Sequence, residues 1–169
     1  MFLNFPPPIS KKIPKFNAKI IPKQSTTTTT LMTKTTLTLS QLEQYLSKAA
    51  WILKGPVDAS DFKVYIFPLL FFKRLSDVYD EEYQQAFEES GGDEEYALLP
   101  EFHRFVIPEG CHWRDVRETT LNVGLAIEQA LRGIEKANLE QLYGIFGDAQ
   151  WSNKNKLSDR LLTDLIEHF

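Results

Sequence analysis

Cys111 and His112 stand side by side, with His103 a short way upstream. Thiolate and imidazole at short spacing is the donor chemistry zinc uses. A structural zinc site, however, takes four ligands, usually with paired cysteines or histidines. Three candidates fall short of that set, and the other reading is partly exposed loop residues, so no metal ligand is assigned. Carboxylates cluster at Asp80, Glu81 and Glu82 and again at Glu88 and Glu89, a pattern that suits solvated helix faces. Counting alone leaves a Ser–His–Asp arrangement open, but no G-x-S-x-G nucleophile turn is present. Neither a G-x-G-x-x-G turn nor a phosphate loop occurs. No catalytic and no cofactor-binding residue is therefore expected in this chain. Basic residues gather late, at Lys154, Lys156 and Arg160, with Trp151 and Asn153 beside them. A loop of this kind either touches phosphates or is simply solvated. Arg104, Arg114 and Arg117 form a second loose group among acids with which they can pair.

Elements must position these residues, and the bulk numbers bound what those elements can be. A chain of 169 residues is long enough for one domain with a real core. Its 43% hydrophobic and 25% charged content is that of a soluble globular protein. One cysteine cannot close an internal disulfide, which fits a reducing, cytoplasmic setting. A net charge of −4 argues against a protein that grips nucleic acid with its whole surface. The charge is unevenly spread. Residues 1–39 hold six lysines and no acid, whereas 40–169 hold thirteen basic and twenty-three acidic residues. The first segment also carries five prolines and a run of five threonines. It keeps no helical or strand period, and the expectation is a disordered basic leader. Prolines and lysines interrupt every candidate secretory h-region, and a transit peptide would want arginine and an amphipathic helix. Met32 is the expected native start, which would leave residues 1–31 untranslated.

From residue 40 the pattern is mainly helical. Ser40 and Glu43 match a capping box. Leu42, Tyr45, Leu46, Ala49, Ala50 and Leu53 then form one apolar face, closed by Gly55 and Pro56. Nine consecutive apolar residues come next, Val64 to Phe72. A membrane span needs roughly twenty, so this run predicts a buried helix, from about residue 60 to 89. Pro68 costs that helix about 3 kcal/mol, and each buried apolar side chain returns about 1.5–3 kcal/mol. The helix should survive with a kink, covered on all sides. "HRFVI" predicts a short strand and "HWRDVRE" a helical turn. Asn122 is expected to cap a helix with Val123, Ile127, Ala130, Leu131 and Ile134 inward. Asn138, with Gln141, is expected to cap a short helix closed by Gly144 and Gly147. Ser158 is expected to cap the last helix, with Leu161, Leu162, Leu165 and Ile166 inward. The expected fold is an orthogonal or irregular helical bundle of about five helices, with at most one short β-ribbon.

The stretch "LSKAAWILKGPVDASDFKVYIFPLLFFKRLSD" resembles the opening of the M (modification) subunit of type I restriction–modification systems. The matching residues are Ala49 and Ala50; Asp58, Ala59, Ser60, Phe62 and Lys63; and Lys73, Ser76 and Asp77. Val106, Pro108 and Trp113 match a later V-P-x-x-x-x-W segment, and the resemblance extends over nearly all of 40–169. Trp51 and Pro68 depart from it, where a polar and a small residue are usual. The resemblance implies a subunit of an S-adenosylmethionine-dependent methyltransferase acting on the N6 of adenine, a reaction that requires base flipping. It implies a specificity (S) subunit and a second M subunit as partners, a restriction (R) subunit for cleavage, and double-stranded DNA in the assembled complex. The family's cofactor and N/D-P-P-F/Y catalytic motifs are absent, since no asparagine or aspartate precedes any proline. The chain therefore reads as the non-catalytic N-terminal domain, 40–169, truncated before the catalytic domain, with an unterminated helix at Phe169. The competing expectation is a free-standing module that binds the S subunit without supporting methylation. An unrelated DNA-binding regulator is disfavoured by the acidic body and the lack of a helix-turn-helix pattern.

Overall fold

The computed structural model describes residues 38–169. The expected leader and the start at Met32 lie outside the described residues, apart from Thr38 and Leu39, which begin the first helix. The elements in order are α1 (Leu39–Leu53), α2 (Phe62–Glu89), α3 (Glu94–Ala97), α4 (Trp113–Arg117), α5 (Val123–Ala137), α6 (Leu139–Leu142) and α7 (Asp159–His168). Short 3-10 turns at Ala59–Asp61 and Pro100–Phe102 complete them. The fold is the expected helical bundle, and among the described residues there is no strand.

α1 starts slightly earlier than Ser40 suggests. Thr38 is the cap: its hydroxyl accepts from the Gln41 amide, and the Gln41 side chain accepts from the Thr38 amide. Thr38 and Gln41 satisfy the same S/T-x-x-E/Q rule as Ser40 and Glu43, and they lie nearer the helix start. Ala49 and Leu53 are fully buried, while Leu42 at the open end is 36% exposed. α1 packs on α2 and α7.

α2 runs uninterrupted through Pro68, which is itself buried. Leu69, Phe72, Leu75 and Ser76 face the core. The expectation of cover on all sides is corrected: Val64 is 38% and Phe67 58% exposed. α1, α3 and α4 pack against α2 but leave that side open. No helix among the described residues is long and apolar enough to cross a membrane.

Side chains decide the ends of the later elements. The expected strand at Val106 is replaced by a carboxamide clamp. Asn138 Oδ1 accepts from the Val106 amide at 2.8 Å, and its Nδ2 donates to the Val106 carbonyl at 2.8 Å and to Ile134 O at 2.7 Å. One amide side chain thus supplies both bonds that a neighbouring strand would have made. For the same reason Asn138 does not cap α6. α6 ends at Leu142, short of the glycines, because Gly144 and Gly147 turn with positive φ and the buried Glu135 carboxylate accepts from the Gly144 amide. The Ser158 cap on α7 forms as expected, accepting from the Leu161 amide. Leu162, Leu165 and Ile166 are buried and Leu161 is half-buried.

The core joins Leu69 and Phe72 of α2, Ile127 and Ile134 of α5, and Leu162 and Leu165 of α7. Trp151 closes it. The expected polar loop places this indole inward, 2% exposed, edge-on to Tyr65 at 5.2 Å. Its carbonyl presses on α5 at Gly124, where an added Cβ would lie 2.0 Å from the oxygen. No rotamer can relieve a clash with backbone. Gly124→Ala is expected to lower stability by about 3 kcal/mol, the upper end of core overpacking, as read from the urea midpoint.

Candidate functional site

The residues that carry the family resemblance open and anchor α2. Asp58 Oδ1 accepts from the Ser60 amide at 2.9 Å and the Ser60 hydroxyl at 2.7 Å, so Asp58, Ala59 and Ser60 form a capped turn that launches the helix. Lys63 is exposed in its first turn. Lys73 and Asp77 pair along the helix one turn apart. Ser76, 1% exposed, accepts from the backbone amide of Trp113 at 3.1 Å, which fixes the start of α4 on α2. Phe72 and Trp113 pack their rings beside this bond, 5.2 Å apart.

The late basic residues do not form one free cluster. Lys154 is engaged: its ammonium donates to Asn122 Oδ1 at 2.6 Å and lies 3.7 Å from the Asp159 carboxylate. Lys156 is exposed and near enough to Asp58 to favour its charge, after the two bonds from Ser60. The loop after Trp151 therefore adjoins the turn that opens α2. Arg160 is exposed in the first turn of α7. Of the three, Lys154 is the one seen with a hydrogen-bond and carboxylate partner among the described residues.

Asp159, which carried no expected role, organises this corner. Its two oxygens accept from the amides of Asn122, at 3.1 Å, and Val123, at 2.9 Å. The expected cap, Asn122, has φ 56° and makes no side-chain cap bond. A capping side chain needs extended backbone geometry to reach the helix amides, and the left-handed turn denies it. A cleft of about 220 Å³ lies here, lined by Asn122, Gly124, Leu125, Trp151, Lys154 and Asp159. It holds one cation beside one carboxylate, and its one hydroxyl, on Ser152, has no histidine among the lining residues to activate it.

The other candidates are tied into the fold. His103 Nε2 lies 2.8 Å from the Ala97 carbonyl and must carry a proton there, while the ring stacks on Tyr79 at 4.1 Å. His112 caps α4 through Nδ1 and sets Nε2 3.1 Å from Asp80. His168 Nε2 meets the Tyr45 carbonyl at 2.9 Å. Among the described residues none of the three histidines has a serine partner. Burial, then Asp115, pushes the Cys111 thiol pKa up; the sulfur sits against Gly133, so the thiol is a packing group. Among the described residues no group of three His, Cys, Asp or Glu is placed to hold a metal. Arg104 pairs with Glu82, Arg114 lies near Asp80, and Arg117 grips Glu167 with two bonds. The second basic group is thus paired with acids.

The HsdM N-terminal domain family matches residues 42–169, the stretch that holds the capped turn, α2 and α4. The chain belongs to that family. HsdM denotes the type I modification subunit, so the resemblance of the capped Asp58–Ser60 turn and the Lys73–Asp77 segment is shown. No curated protein matches the chain. Of the residues that carry the HsdM resemblance, Asp58 and Ser60 start α2 and Ser76 docks α4.

Two outcomes test this corner. Ser76→Ala leaves the buried Trp113 amide without an acceptor and is expected to cost about 1–3 kcal/mol, measured by urea unfolding. The Asp159 carboxyl is held below the usual aspartate range: burial opposes its charge, but the Asn122 and Val123 amides and the Lys154 ammonium outweigh that. A depressed folded pKa stabilises fully above the unfolded value of about 3.9, and the gain is lost as pH falls through the lower folded value. Asp159→Ala is therefore expected to lower the urea midpoint at neutral pH. The gap to wild type should close as the solution is acidified below about pH 4.

Proposed function

We propose that residues 40–169 are the helical N-terminal domain of a type I N6-adenine DNA methyltransferase subunit, serving assembly and DNA enclosure and not the methyl transfer itself. Membership of the HsdM N-terminal domain family over residues 42–169 carries this reading. The sequence supports the non-catalytic part, since it lacks any G-x-G turn and any asparagine or aspartate before proline. S-adenosylmethionine then belongs to a catalytic segment, and this chain contributes no residue to it. The partners are a specificity subunit and a second modification subunit, joined by a restriction subunit for cleavage. Duplex DNA is held by the assembled complex, in the cytoplasm. Lys156 and Arg160 are the members of the late basic group left available for DNA or a subunit.

The purified chain is expected to transfer no methyl group from labelled S-adenosylmethionine to DNA. Adding a type I catalytic segment and a specificity subunit is expected to give methylation. Labelling by the chain alone would overturn the reading. Tight capture of the specificity subunit with no methylation would replace it with a free-standing binding module.

A further inference from the structure

We propose that the outward face of α1, centred on Trp51 and Lys54, is where this domain meets the phosphate backbone of duplex DNA. The inference rests on the proposed DNA-enclosing role and names the surface that would serve it. Trp113 and Trp151 are 5% and 2% exposed, but Trp51 is 69% exposed. The Lys54 ammonium lies 4.1 Å from its ring centroid. Gln44, Ser47 and Lys48 fall two turns and one turn back from Trp51, and Lys54 one turn on, so they share its face; all are exposed. Among the described residues neither Lys48 nor Lys54 has a carboxylate partner. Amides, a hydroxyl, two ammonium groups and an indole N–H are donors suited to phosphate oxygens.

Charge decides which partner fits. Segment 77–101 holds ten acids and no lysine or arginine, and the rest of 40–169 holds thirteen acids and thirteen bases. The whole deficit of the folded body is therefore in the far half of α2 and the segment that runs on to Glu101. α1 ends at the corner where α2 begins, and Asp77 lies fifteen residues beyond Phe62. That is roughly 22 Å at the helical rise, against a screening length of about 8 Å in physiological salt. The acidic end is thus largely screened from Trp51 and Lys54 where α2 begins, while at the other end of α1 Asp77 is near enough to help raise the Tyr45 pKa, after burial. Residues 40–63 hold three acids and three lysines, so a polyanion meets no net repulsion at this end and is repelled at the other, which also orients the domain on its ligand.

Trp51 is its own reporter. Acrylamide quenching of the full 169-residue chain reads mainly this residue, because the other two indoles are buried. A short mixed-sequence duplex at low salt is expected to protect it. Trp51→Phe should leave quenching that DNA does not change. Lys48→Ala with Lys54→Ala should reduce the slope of log affinity against log salt by about 2. These side chains are solvent-facing, so an unchanged urea midpoint checks that the fold is kept. Duplex binding with Trp51 still quenchable and the slope unaltered would overturn the proposal and leave the DNA reading to Lys156 and Arg160. Protection by polyglutamate but not by duplex would overturn it in favour of an acidic protein partner. No duplex binding at any salt would overturn it as well, while the broader reading is decided separately by the methylation assay.

Discussion

The Asp159 carboxylate is the interaction on which the C-terminal half depends. It belongs to the first turn of α7, and it accepts from the first amides of α5. Two helix N-termini, each carrying partial positive charge, therefore meet at one anion. Without it the Asn122 and Val123 amides would lose their acceptor. This junction brings Trp151 over Gly124 and sets Leu162 and Leu165 against Ile127 and Ile134. Lys154, which on sequence grounds is a candidate for phosphate, is used to balance the same charge.

A second constraint ties the N-terminal half to the middle. α2 is long and apolar on its inner side, and Ser76 gives it a fixed register against Trp113. Arg117 then links α4 to α7 through Glu167. The residues of the family signature lie along this path. Asp58 and Ser60 open α2, Ser76 docks α4, and Lys73 pairs with Asp77 along α2.

Legibility in the sequence divides along the same line. Local rules suffice for the spans of α1 and α2, the turn at α4, the apolar face of α5 and the Ser158 cap, because spacing and caps are set by neighbours a few residues away. Partners far along the chain are not legible. Asn122 has the right type for a cap, but its backbone is left-handed and Asp159 takes the role. Val106 has strand character, but its bonds go to a side chain at Asn138. Trp151 sits in a polar loop and is buried because Tyr65 and Gly124 lie beneath it. The late basic group is evident by residue type, yet only the fold separates Lys154, which is engaged, from Lys156 and Arg160. For Trp51 the signal is present as a departure from the family pattern, and the structure turns it outward.

The pace of synthesis sets when the seam between the first and last helices can form. The Tyr45 hydroxyl bonds to the His168 carbonyl across 123 residues, and the two rings stack at 4.5 Å. At roughly 5–20 residues per second, a ribosome needs about 6–25 seconds to supply that partner after Tyr45 is made. A helix of fifteen residues is marginal alone, so through that interval α1 holds its apolar face against α2 at best. The seam between α1 and α7 can close only once α7 has left the exit tunnel, so the apolar face of α1 that packs on α7 stays uncovered until then.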